Sequence, residues 1–376
     1  MRQIAAEYIY TPEKWLSDHV LELTPEGRIH DLRPIEPQES FEKLPGYLFP
    51  GFVNAHCHLE LSHLQGTIHP QSGMGAFVEQ VVKQRATYSE EEQKAAMEKA
   101  IEDAWESGTQ AIGDIVNQRL TAPTKSAWKD RMQFHTFIEL LGLDGSKARS
   151  IIWDGMKLGL SHFDTPWSLT LHAPYSVSPE LKAQLFPSIG GKEARISIHM
   201  LESQAERELF LKGTGSIKEF YERMNIPYKG FPLQDPLAYI LADFPSDIPS
   251  IWVHLKEATD EHLKQLQALE GDTWFCLCPR SNVYIHGEGP DVSKFPVEKV
   301  CLGTDSLASN HSLNLWEEVQ WIQAHHPEIP FHMLITWATY QGGQALGLEG
   351  IGHFAQEHKP GVIYWEGGEK MPKRLV

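Results

Sequence analysis

The sequence predicts an α/β protein, a (β/α)8 TIM-like barrel joined to a small β domain built from both chain ends. Three observations carry this. Eight short apolar runs recur between residues 48 and 304, stretches of helical periodicity separate them, and strand-like pieces with turn signals occupy the two termini.

The elements follow in order. "QIAAEYIYT", "DHVLELTPEGRIHDLRPI" and "GYLFPG" are short strand-like pieces, with Pro25, Glu26 and Gly27 marking a turn. The tail "HKPGVIYWEG" ends in a similar apolar alternation after Pro360 and Gly361, so the terminal pieces can pair. Residues 1–49 and 345–376 are therefore assigned to the small β domain, and 50–344 to the barrel. The eight runs are 48–55, 110–116, 134–141, 168–173, 195–200, 250–255, 273–278 and 299–304. Between them, "SEEEQKAAMEKAIEDAWESG" (89–108) carries apolar residues at helical spacing and Gly108 as a stop, and "SLNLWEEVQWIQAHH" (312–326) reads likewise. The long intervals 56–109 and 201–249 must hold additional helices or loops at the barrel mouth.

Composition narrows the function classes. The 376 residues are 41% hydrophobic and 22% charged, enough for a sizeable core. A net charge of −17 argues against a phosphate-tracking nucleic-acid binder, which needs a basic stripe. The four cysteines, Cys57, Cys276, Cys278 and Cys301, lie inside apolar runs and read as buried free thiols. No signal-peptide apolar region opens the chain and no run approaches 18 apolar residues, so a cytoplasmic protein with no membrane partner is expected.

Chemistry in such a barrel belongs at the carboxyl ends of the strands. Run one closes with His56 and His58, run four with His172, and run five with His199 followed by Glu202. Run six closes with His254 and run eight with Asp305. Residues i and i+2 of a strand share a face about 6–7 Å apart, so His-x-His aims two imidazoles at one point. With His199 and Asp305 added, three imidazoles and a carboxylate can hold one divalent ion, Zn²⁺ or Fe²⁺, and leave room for water. Glu60, at i+2 from His58, either faces the same mouth and reaches substrate or stabilises its loop. Arg280 and Asn282 in "CPRSN" can meet an anionic or polar substrate group, although a surface salt bridge accounts equally well for Arg280. His63, His69, His311, His325, His326 and His353 are given no role.

The segments "PGFVNAHCHLELS", "LHAPYSVS", "ISIHMLES", "VHLKEA" and "CLGTDSLASNHSLNLWEEV" resemble, in order, the signatures of the amidohydrolase superfamily. They look most like its mononuclear-metal branch of aminopurine and cytosine deaminases, over roughly residues 45–345. The resemblance implies the barrel with a small β-sandwich from the termini, and metal ligands at His56, His58, His199 and Asp305. It further implies Glu202 as the proton-shuttling acid, His254 and Asp305 as assistants to the attacking water, and His172 as a substrate contact. Ser309 of the same block is placed among the substrate-binding residues. The alternative for Glu202 is a solvated residue at the start of the helix "ESQAERELF", and for His172 a hydrogen-bonded core histidine.

The pairing of "NAHCHLELS" with "HAPYS" and "CPRSN" most resembles the aminodeoxyfutalosine deaminases of menaquinone biosynthesis, whose substrate is an adenosine-like 6-aminopurine nucleoside bearing a carboxyphenyl ketone. Arg280 would then meet the carboxylate. Cys57 departs from the threonine common in the family's His-x-His. Rival expectations are a deaminase of methylthioadenosine, S-adenosylhomocysteine, adenosine, guanine or cytosine, and an amide, ester or chloro-hydrolase. A catalytically silent barrel scaffold is a third. Binuclear hydrolases usually need a carboxylated lysine where this chain has "LTLHAPY". The expected partner is a small molecule. The sequence leaves oligomeric state unread, and a homodimer is compatible with it.

Overall fold

A closed ring of eight parallel strands organises the chain. In the computed structural model, which describes residues 1–190 and 194–376, the strands run Phe52–Cys57, Thr109–Val116, Gln133–Leu140, Trp167–Leu171, Ile196–Met200, Ser250–His254, Thr273–Leu277 and Val300–Leu302. Each pairs in parallel with the next within two four-stranded arcs. The arcs meet where His199 N donates to His172 O at 2.9 Å, and again where Thr304 N donates to His56 O at 3.1 Å beside a Cys57–Asp305 bridge. The α/β barrel expected from the eight apolar runs is the fold observed.

Nearly every barrel-strand residue is buried, which is why the runs read as continuously apolar rather than alternating. Val53, Ala55, Phe137, Ile251, Val253, Cys276, Cys278 and Cys301 fill one interior cluster, and all four cysteines are buried free thiols. Run one requires a correction. Its first residues close a different strand, Glu42–Phe49, and the barrel strand starts only at Phe52. Pro50, with no N–H to offer a ladder, and Gly51 separate the two.

The helix Glu90–Glu106 starts at a capping box between Ser89 and Glu92 and ends just before Gly108, whose φ of 103° admits glycine readily. Helix Leu315–His325 lies inside the second predicted segment. The two long intervals hold the helices Met74–Arg85, Gln204–Lys212, Ser216–Arg223 and Pro236–Leu241. The terminal strands form one seven-stranded mixed sheet. Ile363–Trp365 pairs antiparallel with Glu42–Phe49, which in turn runs parallel to Arg2–Tyr10. Ile4, Ile9, Leu21, Leu48 and Val362 give this sheet its own core. Among the described residues, no helix is long and apolar enough to cross a membrane.

Candidate active site

Four potential ligands from strands one, five and eight converge at the carboxyl end of the barrel. His58 Nε2 lies 3.2 Å from both His56 Nε2 and His199 Nε2, and 3.4 Å from Asp305 Oδ1. His56 Nε2 is 3.8 Å from the same oxygen. All four side chains are buried, and their ligand atoms fall within 4.8 Å of one another.

The backbone explains the convergence. His56 and His58 straddle the end of the first strand, so alternation turns both inward. Gly303 is required by close approach: a Cβ there would sit 2.8 Å from the His56 Cβ and carbonyl oxygen. Asp305 and His254 have φ of 57° and 70°, unusual for residues with side chains, and each sits where a strand breaks into its loop.

The donor set of the cluster fits a divalent cation. His199 Nδ1 lies 3.0 Å from the His172 carbonyl, which fixes the proton on Nδ1 and turns the Nε2 lone pair inward. Burial depresses the pKa of His56 and His199 below the usual imidazole value, and that of His58 to about 3. At 3.2 Å the facing ring nitrogens can share an N–H···N hydrogen bond in one tautomer, and with their lone pairs turned inward beside the Asp305 carboxylate they can surround one cation. Burial would raise the Asp305 carboxyl, but the facing imidazoles outweigh it and hold the carboxyl below its ordinary range, helped by the Ser281 hydroxyl. Ser281 and Ser309 both donate to Asp305 Oδ2 at 2.6 Å, leaving Oδ1 for the cluster. Imidazole nitrogens and a carboxylate oxygen suit zinc or iron equally.

A chamber of about 120 Å³ adjoins the cluster, lined by His58, His172, His199, Glu202, His254 and Asp305, with Tyr175 and Ser306. Leu61, Met74, Phe77, Val78 and Val81 form its apolar wall. Glu202 precedes the helix Gln204–Lys212 and its N-cap Ser203, so it is a buried loop carboxyl rather than a solvated helix residue. Burial, then the neighbouring Asp305 and Glu206, push its pKa well up. Glu202 Oε1 stands 3.6 Å from His254 Nε2, and burial lowers the His254 pKa to about 3. His172 lies in the wall, its Nδ1 2.6 Å from Ser176 Oγ.

Four other residues expected to contact substrate stand behind that lining. Glu60 lies on the 3-10 turn Leu59–Leu64, where strand alternation no longer holds, and accepts from Arg85 Nη2 at 2.6 Å. The Arg280 guanidinium pairs with Glu317, and its backbone N–H donates to Glu318. Asn282 Nδ2 is 3.5 Å from His254 Nδ1, on the side away from Glu202. Ser309 is fully buried against Asp305. These four surround the chamber residues rather than the chamber.

Several residues near the site escaped the sequence reading. Asp114, in the second strand, accepts from Leu59 N at 3.0 Å just beyond His58 and pairs with Lys125. Glu139, in the third strand, places Oε1 3.6 Å from His199 Nδ1. A charged residue inside a fully apolar run was the available signal for both.

Comparison with known proteins meets this geometry directly. The model of the Amidohydrolase family matches residues 47–371. The chain belongs to that family, and is a hydrolase. An aminodeoxyfutalosine deaminase of Nitratiruptor sp. is 27% identical over 317 residues, covering 81% of this chain and 75% of the relative. An adenosine deaminase of Helicobacter pylori is also 27% identical over 317 residues, covering 80% and 74%. Among solved structures, Helicobacter pylori aminofutalosine deaminase in complex with methylthio-coformycin superposes with a TM-score of 0.82 at 22% identity. It covers 98% of this chain and 93% of that one. That likeness establishes the fold of this family hydrolase and no more.

Proposed function

We propose that this amidohydrolase is a metal-dependent hydrolytic deaminase of a 6-aminopurine nucleoside, with aminodeoxyfutalosine the first substrate to test. The observation that carries the reading is a buried carboxyl, Glu202, whose pKa burial pushes upward, facing the same small chamber as a converging group of three histidines and an aspartate. The 27% identical relatives named for aminopurine nucleosides support the substrate class.

His56, His58, His199 and Asp305 would hold the ion, zinc in the first instance, and the ion when bound lowers the pKa of water to about 7. The remaining work falls to the chain. Glu202 gives its proton to the ring nitrogen next to the attacked carbon, takes one from the water and passes it to the amine, and recovers its own from the new hydroxyl as the C–N bond breaks, ammonia leaves and the carbonyl forms. His254 stands 3.6 Å from the Glu202 carboxyl and is steadied by Asn282, so it directs and stabilises the oxygen as charge develops. His172 and Tyr175 hold the base, and the apolar wall excludes bulk water from it.

One observation favours a second substrate. The chamber lining contains no Arg or Lys among the described residues, and Arg280 is occupied by Glu317. Nothing there pairs a carboxyphenyl carboxylate, whereas Met74, Phe77, Val78 and Val81 suit an uncharged apolar group such as that of methylthioadenosine. The test is an ammonia-release and ultraviolet-shift assay of the zinc-loaded protein over aminodeoxyfutalosine, methylthioadenosine, S-adenosylhomocysteine and adenosine. Turnover of at least one is expected. Ammonia from none of them overturns the deaminase reading.

A further inference from the structure

The chamber has a roof, and each end of that roof is tied to the barrel-mouth elements around it. Helix Met74–Arg85 supplies Met74, Phe77, Val78 and Val81 to the chamber wall, yet only Met74 and Gly75 of the helix are buried. At about 120 Å³ the chamber is well below the roughly 300–1,000 Å³ of small-molecule sites. The half-exposed helix is the part of the wall nearest solvent, and its outward displacement would widen the chamber toward nucleoside size.

The two ends are fastened differently. At the N-terminal end, Gln71 N and Gly73 N donate to Tyr284 O and Ile285 O at 2.6 and 3.1 Å, and the Tyr284 hydroxyl donates to Ile68 O at 2.6 Å. Gly75 packs so tightly that an added Cβ would lie 2.4 Å from Ser216 O. This end is a pivot. At the other end the tie is a side chain. Arg85 Nη2 donates to Glu60 Oε1 at 2.6 Å, and Glu60 Oε2 accepts Asn117 N at 3.0 Å. Asn117 Nδ2 in turn donates to Glu139 O and Oε2 at 2.9 and 3.1 Å. Glu139 Oε1, buried and without a hydrogen-bond partner, stands 3.6 Å from His199 Nδ1.

We propose that Arg85 and Glu60 form a latch: when the roof helix seats, their ion pair draws Asn117 and Glu139 into line beside His199, adding a carboxylate 3.6 Å from Nδ1 to the hold that the His172 carbonyl has on the ring. Arg85, Glu60 and Glu139 are then positioning residues that couple admission of substrate to the geometry of the metal cluster. The proposal rests on the deaminase reading only for what the roof closes over. A buried carboxylate that loses its cation is strongly disfavoured. Glu60 is 1% exposed, whereas the Arg85 side chain reaches in from the edge at 29% exposure, so the arginine is the member that can leave. The other ion pairs of the roof, Glu79 with Arg223 and with Lys83, are peripheral and lead nowhere near the cluster.

The test uses the zinc-loaded protein and two readouts, zinc release to a chromogenic chelator and backbone hydrogen exchange over residues 74–85. Arg85→Met should release zinc about tenfold faster or more, in line with the loss of an outer contact to a metal-bound imidazole, and its roof amides should exchange faster. Arg85→Lys, which keeps the charge, should recover most of the difference. Arg223→Met should speed exchange in the roof and leave zinc release at the wild-type rate, which a merely structural role for Arg85 would not reproduce. Glu60→Gln, which keeps the acceptor for Asn117, should move release in the same direction and serves if Arg85→Met does not fold. Zinc release from Arg85→Met at the wild-type rate, or equally fast release from Arg223→Met, overturns the latch. If instead no 6-aminopurine nucleoside is turned over, the deaminase reading falls while the release rates still judge the latch.

Discussion

The Glu202 carboxyl stands 3.6 Å from His254 Nε2, both groups buried, and that imidazole nitrogen has no hydrogen-bond partner. The pair lines the same chamber as His58, His199 and Asp305, which places an acid and an imidazole beside the converging ligand atoms. Glu202→Gln keeps the shape and removes the transferable proton. It should bind zinc as wild type does while its kcat falls about 10²–10⁴-fold, the usual worth of a positioned acid–base group. Metal analysis alongside the ammonia assay checks both halves, and near wild-type turnover would end the shuttle assignment.

Asp305 is the one carboxylate of the cluster, and its two oxygens have separate duties, one toward the imidazoles and one accepting from Ser281 and Ser309. Asp305→Ala should lose both metal and activity. Ser281→Ala should be milder: the ligand remains but swings more freely, and zinc affinity should fall about tenfold. Competition with a chelator of known affinity measures it. Equal affinities for wild type and Ser281→Ala would show that the hydroxyl does not orient the carboxylate.

The sequence made the converging residues of the site legible because each ends an apolar run, and a polar group in that phase has no packing reason to be there. His56, His58, His199, His254 and Asp305 all met that test. Glu60 stayed open between substrate and loop because the rule of alternate faces does not extend three residues beyond the strand end at Cys57, onto a 3-10 turn. Arg280 stayed open between a substrate contact and a salt bridge because its partner, Glu317, lies 37 positions away, on the helix Leu315–His325, and no local pattern announces it. Arg85 was invisible for the same reason: its contact with Glu60 spans a loop whose path is set by tertiary packing. Asp114 and Glu139 were legible in principle, as charges inside runs, but their partners were not.

Lys125 and Asp114 form an ion pair at 2.6 Å with exposures of 1% and 0%. Burial pushes both toward their neutral forms, Asp114 up and Lys125 down, and their mutual attraction opposes it. Lys125 also donates to Thr136 Oγ1 at 2.8 Å, and Asp114 holds Leu59 N beside His58. Lys125→Met strands the carboxyl, so it should cost about 3–5 kcal/mol of stability. The double variant Asp114→Asn, Lys125→Met should cost less than Lys125→Met alone, since the stranded charge is gone. Denaturant unfolding of the three proteins checks the order, and a double variant less stable than the lysine variant would contradict it.

Glu206 supplies a pH dependence of stability whose sign is fixed. Its Oε2 accepts Glu202 N at 3.0 Å, while Oε1 is buried without a partner, and burial raises the carboxyl pKa to about 8 from an unfolded value of 4.5. Between these values the folded chain keeps a proton that the unfolded chain has lost. Stability therefore falls as pH rises from about 4.5 to about 8 and levels off above. Glu60 and Glu318, raised to about 7 by burial, act in the same direction at slightly lower pH. Glu206→Gln keeps an acceptor for Glu202 N and has no proton to lose. It should match wild type near pH 5 and exceed it by a few kcal/mol near pH 8.5, with a residual slope left by the other buried carboxyls whose pKa burial raises, Glu60, Glu318 and Glu202 among them. Chemical denaturation at the two pH values measures the difference, and an advantage of equal size at both would mean that Glu206 does not titrate in this range.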